Sequence, residues 1–231
     1  MLKSRPARWG AVLWLGMHAG VSAAALGATG GVRVPWPSLS SLFAAHAAVS
    51  LFFLVFIWPF LLQAAVRAEA GRIRPWRAAG GHLALLAALG APFALLGARL
   101  SGTGAGDALG AVAVLAAAAA CAAAVFAGPL AGRPQAAVLY LLAAWTLCAG
   151  APLLGYLLRE WAGADALWLA AVSPFRGVVD PSARAAWGPI GAVQAAGYGA
   201  LAAALAAAVR GAPGAVAGGA RGLPPDPSHG K

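Results

Sequence analysis

Two histidines lie inside long apolar segments of the sequence, where ionisable side chains are rare. His18 lies near the middle of the first apolar segment and His46 lies in the second, whereas His82 begins the third and His229 lies near the C-terminus. An ionisable residue within a membrane is by default a candidate functional group, and histidines from two neighbouring helices can ligate haem iron or a metal ion. Neither histidine has an Asp or Glu nearby in the sequence to orient its ring. The sequence favours the simpler interpretation, in which both rings are neutral and hydrogen-bonded to a neighbouring helix.

The sequence contains no recognisable catalytic or nucleotide-binding motif. Cys121 and Cys148 lie within apolar segments without metal-ligand spacing, so we interpret them as small apolar side chains. No Ser-His-Asp arrangement or Gly-x-Ser-x-Gly turn is present. A Walker A motif needs Gly-Lys followed by Ser or Thr, and the only lysines are Lys3 and Lys231. We therefore predict that the chain is not an enzyme and that it holds no cofactor of its own.

Six apolar segments are long enough to cross a membrane. Hydrophobic residues make up 61% of the 231 residues and charged residues 10%, whereas a soluble domain is about a quarter charged. The segments are rich in Ala, Leu and Gly and lack the alternation of barrel strands, which indicates helices. Gln63 and Gln194, on the second and sixth segments, are expected to form hydrogen bonds between helices. We predict an all-α polytopic membrane protein with one transmembrane domain, residues 1–210, whose six spans are 9–28, 41–66, 80–98, 108–129, 136–158 and 187–209.

The basic residues predict the orientation of the chain. With the N-terminus inside, 11 of the 16 Lys and Arg residues fall on the cytoplasmic side and 5 on the outer side. This bias places both termini in the cytoplasm and the protein in the cell (inner) membrane. It also accounts for most of the net charge of +10. Because no basic stripe with interleaved aromatic residues is present, we expect no nucleic-acid partner.

The first span has one alternative interpretation. Lys3, Arg5 and Arg8 precede an apolar stretch that ends in small residues from Ser22 onward, which is typical of a signal peptide with a cleavage site. The stretch is about 20 residues long, and the apolar region of a signal peptide is usually roughly 7–15 residues. We therefore predict a retained span.

The connection between the fifth and sixth spans is the longest in the chain. It contains an apolar stretch of about 10 residues, too short to cross a membrane, and Ser173-Pro174 ends any helix there. Irregular backbone at membrane depth is tolerated only where protein or water surrounds it. We predict a short re-entrant or interfacial element that gates the outer side of the bundle. Its candidate residues are Trp168, Ser173, Pro174 and Phe175.

The inner connection after the second span, residues 67–77, is strongly basic. It is interpreted either as a positively charged loop that sets topology or as a short amphipathic helix that docks a cytoplasmic partner. Residues 211–231 are rich in Gly and Pro, which predicts a disordered cytoplasmic tail. The charged and glycine residues of the inner connection are Arg67, Glu69, Gly71, Arg72, Arg74 and Arg77.

Two of these segments, together with the overall layout, resemble one known family. Residues 59–73 (PFLLQAAVRAEAGRI) are similar to a second span that ends with a proline and continues into an acid–basic–acid–x–Gly–Thr loop. Glu69 and Gly71 match the second acid and the glycine, whereas Arg67 and Arg72 replace the first acid and the threonine. The stretch LAAVSPF, residues 169–175, is similar to a re-entrant element between the fifth and sixth spans. These are features of the ABC-2 type permeases of ATP-binding-cassette transporters.

The resemblance implies a transmembrane subunit without its own motor. A separate ATP-binding subunit would dock on residues 67–77, and two copies, or this chain and a second permease, would form the substrate pathway. The few charges favour a lipid-like, drug-like or peptide substrate. Two other hypotheses stay open: a haem- or quinone-associated membrane anchor that uses His18 and His46, and a membrane assembly protein that transports nothing.

Overall fold

Five long apolar helices form the main body of the protein, for which we obtained a computed structural model. The structure describes residues 5–30, 38–68, 75–127, 134–164, 167–179 and 189–210, and every regular element within them is helical. Each of the five helices is long and apolar enough to cross a membrane. They are α1 (Arg5–Thr29), α2 (Leu39–Ala68), α3 (Pro75–Ser101), α4 (Ala105–Ala127) and α5 (Pro134–Trp145, Thr146–Gly150 and Ala151–Ala162 in continuous succession).

Among the described residues, three further helices follow α5. The short helices α6 (Leu167–Val172) and α7 (Pro174–Val179) are separated by Ser173, and α8 covers Pro189–Arg210. The first five predicted spans fall on α1 to α5. The sixth falls on α8, whose described apolar stretch, Val193–Ala207, is shorter than those of the other five helices. That span, and the division into residues 1–210 and a tail, stay predictions.

Prolines and glycines set several of the helix ends. α3, α5 and α8 each begin with a proline, a residue that fits the first turn because its missing N–H has no partner there in any case. Gly102 and Gly163 have left-handed φ values of 67° and 61°. Such residues end helices well because they lack a Cβ. Gly163, after α5, donates its N–H to the Leu158 carbonyl.

The second helix lies at the centre of the bundle. It contacts α1, α3, α4 and α7, and it is the most buried of the five long helices. Two apolar clusters share it: Phe53 and Trp58 pack with residues of α1, α3 and α4, and Leu51 and Val55 pack with residues of α4, α5 and α7. α8 packs along α4. Together, α2 and α4 therefore contact α1, α3, α5, α7 and α8.

Large apolar side chains are exposed along the outer faces of the long helices. Examples are Trp9 on α1, Leu95 on α3, Leu139 on α5 and Trp161 near the end of α5. A soluble monomer rarely exposes so much continuous apolar surface. This pattern supports a multi-pass membrane protein in which lipid covers these faces.

Candidate functional site

The two membrane histidines are in direct contact at the interface of α1 and α2. The Nδ1 atoms of His18 and His46 lie 2.9 Å apart, and both side chains are 1% exposed. The sequence placed these residues on adjacent helices, and the structure brings them together. The distance is that of an ordinary hydrogen bond.

Two serines extend this contact into a chain of hydrogen bonds with one consistent arrangement of protons. The Ser50 hydroxyl donates to the His46 carbonyl at 2.8 Å, so its oxygen can only accept from His18 Nε2, which lies 3.4 Å away. His18 therefore carries its hydrogen on Nε2 and accepts at Nδ1, so the His46 Nδ1–H donates between the rings. His46 Nε2 is then an acceptor for the Ser22 hydroxyl, 3.4 Å away. Both rings are neutral in this arrangement.

Aromatic side chains enclose the histidine pair. Phe93 of α3 stacks on the His18 ring with centroids 5.3 Å apart, and Trp14 meets the same ring edge-on at 4.6 Å. Gly97 allows α3 to approach closely: a Cβ at this position would lie 3.1 Å from His46 Cδ2 and 3.2 Å from the Phe43 Cα. Glycine is therefore required at position 97 for the histidine pair to keep this geometry.

The geometry of the pair favours hydrogen bonding over metal ligation. Ligand nitrogens about 2.0–2.1 Å from a tetrahedral metal lie about 3.3 Å from each other, and the two Nδ1 atoms are closer than this. Among the described residues, no group of three or more His, Cys, Asp or Glu side chains is arranged to hold a metal ion. In this conformation the two Nδ1 atoms are too close together to share one metal ion.

An apolar cavity of about 520 Å³ lies beside the pair, between α1, α2, α3 and α4. His18, His46 and Ser50 form its polar part, and Trp14 and Phe43 contribute aromatic surface. The remaining lining is aliphatic. A concave apolar space of this size with a few polar groups is typical of small-molecule sites.

A second polar arrangement lies where prolines interrupt α2 and α5. Pro59 has no N–H, so the α-helical donor to the Val55 carbonyl is missing, and Phe53–Ile57 is π-helical. The Tyr140 hydroxyl of α5 donates to this carbonyl at 2.7 Å. Pro152 likewise has no N–H to donate to the Cys148 carbonyl four residues earlier, and Cys148 lies within the π-helical segment Thr146–Gly150.

The Ser173 hydroxyl, between α6 and α7, donates to that Cys148 carbonyl at 3.0 Å. In both helices a hydroxyl from elsewhere in the bundle thus binds the carbonyl that a proline leaves without its usual donor. Each of these bonds ties one helix to another at a point where the backbone is irregular.

The carbonyls at the end of α6 are bound by side chains of α8. Gln194 Nε2 donates to the Ala171 carbonyl and, at 2.8 Å, to the Ser173 carbonyl. The Tyr198 hydroxyl donates to the Val172 carbonyl at 2.6 Å. The last carbonyls of a helix have no partner within the helix, so α8 supplies the donors that the break at residues 173–174 requires.

The predicted gate residues divide between the interior and the surface. Ser173 and Pro174 are buried, and Phe175 packs into the cluster around Leu51 and Val55. Trp168 is 66% exposed. The break therefore lies inside the bundle, whereas the tryptophan of α6 faces its surroundings.

The other candidate residues lie at the ends of helices or inside the bundle. Arg67 lies in the last turn of α2, and Arg77 lies near the start of α3. Gln194 makes bonds between helices as expected, whereas Gln63 Nε2 has no partner among the described residues. Cys148 is buried and not in a disulfide. The four other residues of the predicted partner-docking loop, Glu69, Gly71, Arg72 and Arg74, lie outside the described residues, as does the tail 211–231.

Sequence reasoning missed Tyr140 and the two serines that bind the histidines. Pro59 and Pro152 were a usable signal, because each proline removes the donor for the carbonyl four residues earlier.

Comparison of the chain with protein-family models, with curated proteins and with solved structures gives no match. Functional inference therefore rests on the sites themselves.

Proposed function

We propose that the protein is the membrane-spanning permease subunit of an ATP-binding-cassette transporter, which moves its substrate with ATP hydrolysed by a separate subunit. The observation that carries the proposal is the break between α6 and α7. Side chains of α8 donate hydrogen bonds to its carbonyls, and its serine hydroxyl donates to a carbonyl of α5. Irregular backbone at membrane depth is tolerated where protein surrounds it, and broken helices of this kind are typical of transport pathways.

In this proposal α8 is the sixth span and α6–α7 is a re-entrant gate on the outer side. α8 has 22 residues, and a rise of 1.5 Å per residue gives a length of about 33 Å, enough for a bilayer core of roughly 30 Å. Both termini then lie in the cytoplasm, and the protein lies in the cell (inner) membrane. The chain forms a homodimer, or a heterodimer with a second permease.

The central position of α2 supports a route for coupling. Its last turn carries Arg67, at the start of the proposed docking loop, and the same helix contacts α7 at the gate. A force on the cytoplasmic end of α2 therefore reaches the break at Ser173 through packed side chains. The charge of the loop, four arginines against one glutamate in residues 67–77, favours an acidic docking face on the ATP-binding subunit.

Purification in mild detergent tests this proposal. A protein with a Walker A motif is expected to co-purify with the chain, and substitution of Glu69→Gln with Gly71→Ala is expected to remove it. Glu160→Gln with Gly106→Ala is the matched control, because both residues lie in outer connections by the predicted topology and a Cβ at Gly106 meets nothing within 4 Å. An unchanged complex in the first variant would contradict the docking loop.

The same preparation separates the alternatives. An absorbance spectrum with a Soret band would favour the haem-anchor hypothesis, which the direct contact of His18 and His46 disfavours. A stable complex whose ATP hydrolysis responds to no lipid, drug or peptide would favour the assembly-protein hypothesis. The permease proposal predicts no Soret band and a stimulated hydrolysis rate.

A further inference from the structure

We propose that the cavity beside His18 and His46 binds an uncharged lipid-like molecule through a hydroxyl head group, and that this molecule enters sideways from the bilayer between α3 and α4. The proposal concerns the chain alone and does not depend on a transport function. It rests on the shape of the cavity, on the hydrogen-bonding capacity left at its polar end and on the exposure of its wall.

The wall between α3 and α4 faces outward. Ala87, Ala91 and Leu95 follow one another at four-residue spacing on α3, so they form one row along its surface. Val112 and Ala116 form the facing row on α4. All five residues line the cavity and are themselves exposed. Three of the five are alanines, whose side chains are small, and we refer to the space between the two rows as the gap.

The exposed rows lie on helices whose outer surfaces are covered by lipid, so the gap opens into the acyl-chain region of the membrane. A molecule that enters here needs an apolar body. The cavity volume of about 520 Å³ lies within the range of small-molecule sites. A head group and the first part of a chain fit inside, and the rest of the chain extends through the gap.

The polar end selects a neutral head group. No Lys, Arg, Asp or Glu is among the described residues that line the cavity, so a phosphate or carboxylate would be buried without a counter-charge, which is costly. A neutral oxygen, in contrast, needs only a hydrogen bond. The ligand therefore differs from the anionic phospholipids that basic membrane sites recognise.

One group on the wall, the Ser50 hydroxyl, has unused hydrogen-bonding capacity. The Ser50 oxygen donates its one hydrogen to the His46 carbonyl and accepts from His18, so one of its lone pairs is free. A ligand hydroxyl can donate to this lone pair, whereas an ether or a ketone has no hydrogen to donate. A hydroxyl head group therefore matches the polar end of the cavity better than an ether or a ketone does.

Photolabelling of the purified chain in phosphatidylcholine vesicles tests the proposal without any ATP-binding subunit. The probe is hexadecanol with a diazirine in its chain, and the matched probes are the corresponding hexadecane and hexadecyl phosphate. We expect labelling of α3 and α4 residues on the cavity wall, at least about fivefold stronger for the alcohol than for either matched probe, as for the loss of one hydrogen bond. Equal labelling by hexadecane would overturn the head-group assignment.

Two variants test the entry route. Ala91→Phe places a large side chain in the gap and is expected to reduce labelling about tenfold or more, because an exposed position tolerates it without unfolding. Ala84→Phe is the control, since residue 84 is exposed on the same helix and does not line the cavity. Equal labelling of the two variants would contradict entry between α3 and α4.

Competition with unlabelled molecules identifies the head group that the cavity prefers. Unlabelled dioleoylglycerol and hexadecanol are both expected to reduce labelling, because they share the hydroxyl head. A decyl-substituted benzoquinone has only carbonyl oxygens and is expected to compete at least about fivefold more weakly. Stronger competition by the benzoquinone would overturn the hydroxyl assignment. Because no ATPase is present in the assay, its outcome is independent of the permease proposal.

Discussion

His18 and His46 are joined by one hydrogen bond between their Nδ1 atoms, which lie 2.9 Å apart at the interface of the first two helices. Ser22 and Ser50 lie at the two outer nitrogens, so the pair is one step in a continuous chain of four side chains. A neutral imidazole pair that is satisfied in this way can lie inside a membrane without a counter-charge. The contact also fixes the register of α1 against α2.

Replacing one histidine should lower the free energy of unfolding by more than half of the loss caused by replacing both. His18→Leu or His46→Leu leaves the partner nitrogen buried and unpaired, with an expected loss of about 1–3 kcal/mol in the free energy of unfolding. The double variant leaves no ring nitrogen unpaired, so its loss should be clearly smaller than the sum of the single losses. Thermal unfolding of the four proteins in detergent measures this. Strictly additive losses would show that the two rings are not coupled.

Gly97 should be far less tolerant of alanine than a glycine elsewhere on α3. In Gly97→Ala the new methyl group lies 3.1 Å from His46 Cδ2 and 3.2 Å from backbone at Phe43, and such overpacking typically costs about 1–3 kcal/mol. Gly80→Ala on the same helix meets nothing within 4 Å and should be neutral or stabilising, because alanine favours helix. Unfolding midpoints of the two variants are the measurement. Similar midpoints would contradict the close approach of α3 to the histidine pair.

The hydroxyl that binds a proline-freed carbonyl should become dispensable when the proline is replaced. Tyr140→Phe leaves the Val55 carbonyl without this donor and should cost about 1–3 kcal/mol. In Pro59→Ala the backbone N–H of residue 59 returns to that carbonyl. Adding Tyr140→Phe to Pro59→Ala should then cost clearly less than Tyr140→Phe alone.

Ser173→Ala, alone and together with Pro152→Ala, repeats the test at the break between α6 and α7. Tyr156→Phe is the control for loss of a hydroxyl, because Tyr156 is 59% exposed. Chemical denaturation in mixed micelles provides the free energies. The relation between proline and hydroxyl would be wrong if each hydroxyl loss cost the same with and without its proline.

The long helices were predictable because bilayer thickness imposes a length that the sequence must show. Spans 41–66 and 80–98 lie within α2 and α3, and the helices extend beyond them at polar ends. The break at Ser173-Pro174 was also predictable, since proline removes a donor.

The contacts across the bundle were not predictable in the same way. Helix rotation decides that His18 meets His46, and rotation depends on packing against Gly97 and Phe93, which lie 47 to 79 residues farther along the chain than the two histidines. The short sequence pattern around each histidine does not contain this information. The cavity beside the pair, formed by four helices, is likewise a property of packing.

The side of the membrane on which the C-terminus lies should show whether the chain has six spans. If α8 crosses the membrane, the chain has six spans and both termini lie on one side. Fusion of a reporter that is active only in the cytoplasm to the C-terminus should then give full activity, whereas fusion after residue 163 should give none. An inactive C-terminal fusion that is present at normal levels would contradict the sixth span.

Site-specific photocrosslinking in intact cells tests the permease proposal most directly. A photoreactive amino acid at position 69, in the proposed docking loop, should crosslink to a protein that carries a Walker A motif. The same amino acid at position 160, on the proposed outer side, should give no such adduct. If position 69 yields no Walker-motif protein while the chain is correctly inserted in the membrane, the chain does not dock an ATP-binding subunit through this loop, and the proposed function is wrong.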